Sequence, residues 1–254
     1  MRRQILTSVV MFVALTVLLG LIYPLAVYAI GQVGFKNKAE GSLLKVKGQV
    51  VGSKLIAEDF TSPQYFHPRP SKAGTGYDGN GYDAGASAAS NQGPSNPKLI
   101  GNVPGVNIDG TTNPYATPTD PRCLPVQATD KDGNDITDKD GNAVYEKNKD
   151  GTYVCDPGTV PQRLLAYRAE NGLAASVKVP VDAVTASFSG LDPDVSVANA
   201  RLQALRVARV RHMTVDQVLA LVAKHTDGRG LGFMGEPGVN VLELNLGLDA
   251  QTAR

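Results

Sequence analysis

At 254 residues, 42% of them hydrophobic, the chain has ample sequence for a buried core, and its composition excludes wholesale disorder. Twenty-five Lys and Arg against 24 Asp and Glu leave no basic excess or stripe of the kind nucleic-acid binders carry. Two cysteines are far too few for a disulfide-rich scaffold, and no Trp occurs.

From Ile5 to Ile30, 26 consecutive residues carry no charge and are mostly Val, Leu, Ile, Ala and Phe. As a helix that run is about 39 Å long, enough to cross the hydrocarbon core. Pro24 cannot donate to the carbonyl of Gly20, so a kink or a helix break is expected there. Tyr23 and Tyr28 suit a headgroup boundary, and Arg2 and Arg3 before the span keep that end in the cytoplasm. The rival is a cleaved signal peptide with "VYA" before Ile30 as its processing site, but signal h-regions run only about 7–15 residues. The reading is therefore a cytoplasmic N-terminus at 1–4, a transmembrane helix at 5–30, and an extracytoplasmic domain at 31–254.

After the span, "GSLLKVKGQVVGSKLIAEDF" alternates short apolar runs with Gly punctuation and reads as small strands. "YFHPRPS", Tyr65–Ser71, opens a Gly/Pro/Ser/Asn-rich loop; residues before proline avoid the helical region, so an extended course is expected. "SNPKL" looks like a helix start with Pro97 in the first turn. A second start at Pro161 runs through "PQRLLAYRAENG" to a terminating Gly172. Between them, residues 101–162 hold ten acidic and five basic residues, so that stretch stands apart from the rest. Ser196 caps "SVANARLQALRVARVRH", and Thr214 with Gln217 has capping-box spacing. In that helix Val215, Val218, Leu219 and Val222 are expected on one face. The final "VNVLELNLGL" alternates Leu242, Leu244, Leu246 and Leu248, which leans towards a strand, with a short buried helix as the alternative.

Three motifs invite chemistry. "GTGYDG", Gly74–Gly79, matches a dinucleotide fingerprint but lacks the strand and helix that would aim N–H groups at a pyrophosphate. The repeats "TDKDGND", "TDKDGNA" and "NKDGTY" make Asp130, Asp132, Asp138 and Asp140 a weak Ca²⁺ candidate, although no EF-hand Glu falls in place. Asp-Gly flanked by strand formers is the simpler hairpin turn. Cys123 and Cys155 bracket these repeats and, in an exported segment, are expected to form a disulfide. His67, His212 and His225 lack metal spacing, and no nucleophile elbow is present, so an anchored hydrolase finds no support.

Seven ordered segments carry a resemblance. They are "YPL" in the span, "YFHPRPS", "YDAGASAASNQGPSNP", "AYRAENGL", "VPVDAVTASFSGLDPDVS", "RVARVRHMTVDQVLALVAKHT" and "GRGLGFMGEPGVNVLELNLGLD". In this order they closely resemble the C subunit of the Kdp-type potassium-transporting P-type ATPases. The resemblance implies an α+β fold: one transmembrane helix, then a single mixed α/β extracytoplasmic domain with a hairpin-rich acidic insertion at about 101–160. It implies a single-pass protein of a bacterial cell (inner) membrane with no catalysis of its own. Its partners would be a channel-like potassium-binding subunit, a P-type ATPase subunit and a small single-span subunit. The complex uses ATP, Mg²⁺ and K⁺; with no phosphate loop here, none is expected to bind this chain directly. Tyr65, Phe66, His67, Arg69 and Ser71 match a family motif, read as a rigid loop that orders the domain or docks on the channel subunit. Where the family has a Gly pair this chain has Ala88-Ala89, and where it has Q-V-P-R this chain has Gln203-Ala204-Leu205-Arg206. The other reading kept open is a membrane-anchored, Ca²⁺-dependent binding module built on the Asp-Gly repeats.

Overall fold

The computed structural model describes residues 2–73, 83, 85–89, 91, 93, 126–131, 134–139, 141, 143–149, 151, 154 and 159–252. The chain divides into two compact units, Met1–Leu55 and Ile56–Arg254.

In the first unit one continuous helix runs from Arg2 to Gly34, long and apolar enough to cross a membrane, with no residue of its apolar window buried against protein. It comprises α1 (Arg2–Val17), a π-helical turn (Leu18–Ile22) and α2 (Tyr23–Gly34). The helix does not break at Pro24. A π-turn precedes it instead, and Pro24 sits in the first turn of α2, so the helical course continues. A single turn, α3 (Lys36–Ala39), follows. Next come the expected small strands, β1 (Leu43–Val46) and β2 (Gln49–Ser53), which the structure pairs as a hairpin with Val46 opposite Gln49. Its two-residue turn is Lys47-Gly48, with φ of 50° and 84°, the twist that matches two antiparallel strands.

The second unit is mixed α/β. Helix α4 (Val160–Asn171) starts where Thr159 accepts from the Gln162 N–H and stops at Gly172, whose φ of 64° is left-handed. A 3₁₀ turn (Val181–Ala183) leads to β3 (Asp194–Ser196), α5 (Val197–Val210), α6 (Val215–Lys224), β4 (Thr226–Asp227), β5 (Gly238–Asn240) and α7 (Val241–Thr252). Ser196 caps α5 through the Asn199 N–H, and Thr214 and Gln217 make the reciprocal capping box of α6. The three short strands pair antiparallel in the order β3-β5-β4, so Val239 of β5 lies opposite both Val195 and Thr226. Around them Phe66, Ala200, Ala204, Val207, Val218, Leu221, Val222, Val241, Leu244 and Leu248 form the main core.

Two expectations are corrected. Of the C-terminal run only Val239 and Asn240, the end of β5, are strand; from Val241 it is helix. Its buried residues are Val241, Leu242, Leu244, Asn245 and Leu248, recurring at the three- and four-residue intervals of a helix, whereas Leu246 is only partly buried. The buried seam of α6 is Val218, Leu221 and Val222; Val215, in the first turn, is exposed, and Leu219 packs only at the edge.

In the acidic segment, antiparallel bridges join Gln127 to Tyr145, Thr129 to Asp135 and Thr137 to Ala143. Gly141 and Gly151 stand at φ of 80° and 85°. The Asp130 carboxylate accepts from the Asn134 N–H at 2.9 Å, and no metal-type cluster of His, Cys, Asp or Glu exists among the described residues. Gly74–Gly79, the "SNPKL" helix start, Cys123, Cys155, Asp132 and Asp140 lie outside the described residues.

Candidate functional site

The Tyr65–Ser71 segment is strung between α5 and α7. Its prolines, Pro68 and Pro70, supply no N–H, so the segment cannot run as the middle strand of a sheet. Two side-chain amides replace the missing strands. Asn245 of α7 accepts the Phe66 N–H through Oδ1 and donates Nδ2 to the Phe66 carbonyl, both at 2.9 Å. Gln203 of α5 treats His67 in the same way, accepting its N–H at 2.8 Å and donating to its carbonyl at 3.0 Å. In extended chain, consecutive residues offer their backbone edges in opposite directions. One amide therefore grips from each side, and the Phe66 side chain, 0% exposed, enters the core.

Gln203 is held in turn. Its Oε1 also accepts from Arg206 at 2.9 Å and its Nε2 also donates to Asn199 Oδ1 at 2.9 Å, which uses the amide's full capacity. Asn199 accepts the Tyr167 hydroxyl at 2.7 Å and donates to Asp182 at 3.0 Å. Arg206, a guanidinium only 3% exposed, donates to the Pro63 and Tyr65 carbonyls at 2.5 and 2.9 Å and to Asn171 at 3.0 Å. The fork geometry of arginine suits two carbonyls of one loop in a way an ammonium cannot match.

The remaining motif residues are tied down individually. Tyr65 donates to Asp249 at 3.1 Å, and Arg211 stacks 4.8 Å from its ring centre while pairing with Asp249 at 2.7 Å. Burial and the Asp249 hydrogen bond push the Tyr65 phenol above its ordinary range, which keeps it a donor. Arg69 pairs with Asp192 at 2.8 Å. Ser71 donates to the Gly190 carbonyl at 2.5 Å and accepts the Ala73 N–H at 2.9 Å. Gly190 has φ of 72°, and a Cβ there would fall 2.5 Å from the Ala88 carbonyl oxygen. Ala88 itself tolerates its methyl, since it contributes only backbone to this contact. Gly190→Ala should therefore destabilise the domain by about 1–3 kcal/mol from the left-handed backbone alone, read as a lower urea midpoint.

His67 is held between two acceptors. Its Nε2 lies 3.0 Å from the Ser62 carbonyl and its Nδ1 2.7 Å from Glu170 of α4. Both neighbours are acceptors, so both contacts are hydrogen bonds only when the ring holds two protons. Burial alone would raise the Glu170 carboxyl; the His67 hydrogen bond and charge, with Arg206 3.8 Å away, outweigh it and hold it below the ordinary carboxylate range. A lowered folded value contributes stability above the unfolded value, and that contribution drains away as pH falls through the folded one. The stability gap between the native chain and Glu170→Gln should therefore shrink as pH is lowered from about 6 to about 3. The neighbouring Glu58 and Asp59 are pushed up by burial and slope the other way, so each pH needs the variant measured alongside.

The structure thus brings Tyr65, Phe66, His67, Arg69 and Ser71 into one ordered segment whose polar contacts are to its own domain. Sequence reasoning missed Gln203, Asn245, Arg206 and Glu170. The available signal was polar residues on an apolar stripe: Asn199, Gln203 and Arg206 fall among Ala200, Ala204 and Val207 of α5, all buried. Leu205 is mid-helix and exposed, in a helix that begins at Val197 behind its Ser196 cap.

With this geometry in place, the comparisons with known proteins agree. The family model described as "K+-transporting ATPase, c chain" matches residues 5–121 and 151–250, leaving 122–150 of the acidic stretch unmatched. A potassium-transporting ATPase KdpC subunit of Mycobacterium tuberculosis (strain H37Rv) is 43% identical over 249 residues, covering 98% of this chain and 99% of the relative. One from Koribacter versatilis is 39% identical over 98% of this chain and 95% of its own length. One from Caulobacter sp. (strain K31) is 41% identical over 93% and 88%. A single apolar helix, a clamped YFHPRPS segment and near full-length similarity thus converge, and the chain belongs to the KdpC family, the c chain of K⁺-transporting ATPases.

Proposed function

We propose that this chain is a non-catalytic accessory subunit of an ATP-driven, high-affinity potassium-uptake complex. Its apolar helix packs beside partner spans, with Arg2 and Arg3 in the cytoplasm and residues 31–254 on the outer face. There the domain caps the channel-like subunit and stabilises its assembly with the P-type ATPase subunit and the small single-span subunit. One observation carries the reading: the buried cluster of Arg206, Gln203, Asn199 and Asn245 makes its hydrogen bonds to the Pro63–His67 backbone, to one another and to Tyr167, Asn171 and Asp182 of the same domain. A cluster of that kind builds a rigid surface. ATP, Mg²⁺ and K⁺ are handled by the partners.

Affinity purification of the tagged chain from K⁺-starved cells tests this. The three partner subunits should come with it in mild detergent; recovery of the chain alone, where other membrane complexes survive, would overturn the proposal. Protease added outside spheroplasts should digest residues 56–254, and protection until lysis would remove the capping role.

A further inference from the structure

In an α-helix each carbonyl takes the N–H four residues on, and in a π-turn five residues on. The Tyr23 N–H goes back to the Leu18 carbonyl. Leu19 thereby loses its α-type donor, Tyr23. Its π-type donor would be the N–H of residue 24, which is proline and has none. The Leu19 carbonyl is thus left without a main-chain donor in either register. Gly20 differs, for it loses Pro24 but keeps the Leu25 N–H within π reach.

In water such a carbonyl would bind solvent, but Leu19 lies near the midpoint of the uncharged Ile5–Ile30 run, where hydrocarbon offers no donor. This helix cannot repair the gap with its own side chains. Helical Ser and Thr hydroxyls donate backwards by three or four residues, and the positions that could reach Leu19 are Ile22 and Tyr23. A tyrosine hydroxyl sits too far out along its ring to fold back onto that carbonyl. The adjacent Gly20 leaves the backbone bare, since a Cβ there would meet only the Thr16 methyl, at 4.0 Å. A lone water would need two or more polar partners, and this apolar surface supplies one.

We propose that the Leu19–Gly20 backbone is a docking point for a transmembrane helix of a partner subunit, which donates a side-chain hydrogen bond to the Leu19 carbonyl. The donor is a hydroxyl, carboxamide or indole group, and it approaches over Gly20. The proposal rests on the reading that the helix spans the bilayer within the complex, and it names what the neighbouring helix must present.

Pro24→Ala tests it by restoring the N–H without adding bulk. The full-length chain is added to nanodisc-held complex lacking it, and the apparent Kd is measured. One interhelical hydrogen bond in lipid changes association by about threefold, and by about twentyfold at most. Pro24→Ala should weaken binding within that range, and Gly20→Leu, which fills the approach, should weaken it at least as much. Infrared spectra of a ¹³C=¹⁸O label at Leu19 give the direct readout. Its band should move to lower frequency when the native chain joins the complex. Unchanged Kd for Pro24→Ala together with an unmoved band overturns the inference while the accessory role stands. A band already low in the lone chain also overturns it. Failure of the native chain to join at all removes the accessory role, and this inference with it.

Discussion

Replacing Arg206 with alanine should destabilise the domain by about 3–5 kcal/mol, the largest loss expected from a single polar residue here. The guanidinium serves the Pro63 and Tyr65 carbonyls, Asn171 and Gln203 simultaneously, and truncation leaves these acceptors facing one another across a dry gap. Burial works against the charge and lowers its proton affinity, while Glu170 supports it, so the site holds a charge that is tolerated only because it is fully paired. Arg206→Lys should recover less than half of the loss, because one ammonium cannot span two carbonyls and two amides. Arg229→Ala is the control: its partner Glu236 is exposed, and losing that pair should change stability by about 0–1 kcal/mol. Since the chain has no Trp, the near-ultraviolet circular dichroism of its nine Tyr can follow urea unfolding in detergent. Equal midpoints for Arg206→Ala and Arg229→Ala would mean the buried fork contributes nothing.

Local rules carried the reading of the helices. Pro161 in a first turn, Ser196, Thr214 with Gln217, and Gly172 mark helix ends by backbone angles or hydrogen bonds that depend on residues no more than four apart. The Lys47-Gly48 hairpin is legible for the same reason. Where a segment's conformation is settled by distant partners, sequence reading faltered. Residues 241–252 alternate like a strand, yet they form a helix because its buried stripe includes Asn245, a polar residue that breaks the apolar pattern in order to hold Phe66. Nor does any local feature of YFHPRPS announce that its partners stand at 170, 203, 206 and 245. The prolines announce a stiff segment in need of donors and acceptors; which side chains answer is decided by how α4, α5 and α7 pack. The long apolar helix was legible from length and charge, and its π-turn was not, because a proline in a helix can be met by a kink, a break or a change of register.

Asn245→Leu is the second large effect expected, about 2–4 kcal/mol. The two side chains are similar in volume, so the variant isolates the hydrogen bonds from the packing. It leaves both the N–H and the carbonyl of a wholly buried Phe66 unpaired. Gln203→Leu does the same to His67 and also strips partners from Asn199 and Arg206, so it should cost at least as much. The double variant is the informative one. If the two amides hold the segment as a unit, releasing one side frees the other, and the double loss should fall short of the sum by about 1 kcal/mol or more. Strict additivity would mean that each grip acts alone. The same variants separate loop-ordering from docking. A segment that mainly orders the domain loses urea midpoint and complex recovery together, with new protease cleavage between Ser62 and Ser71. A segment that mainly docks would lose recovery at an unchanged midpoint, and that outcome at Asn245 would contradict the clamp, since its side chain faces the Phe66 backbone and not the solvent.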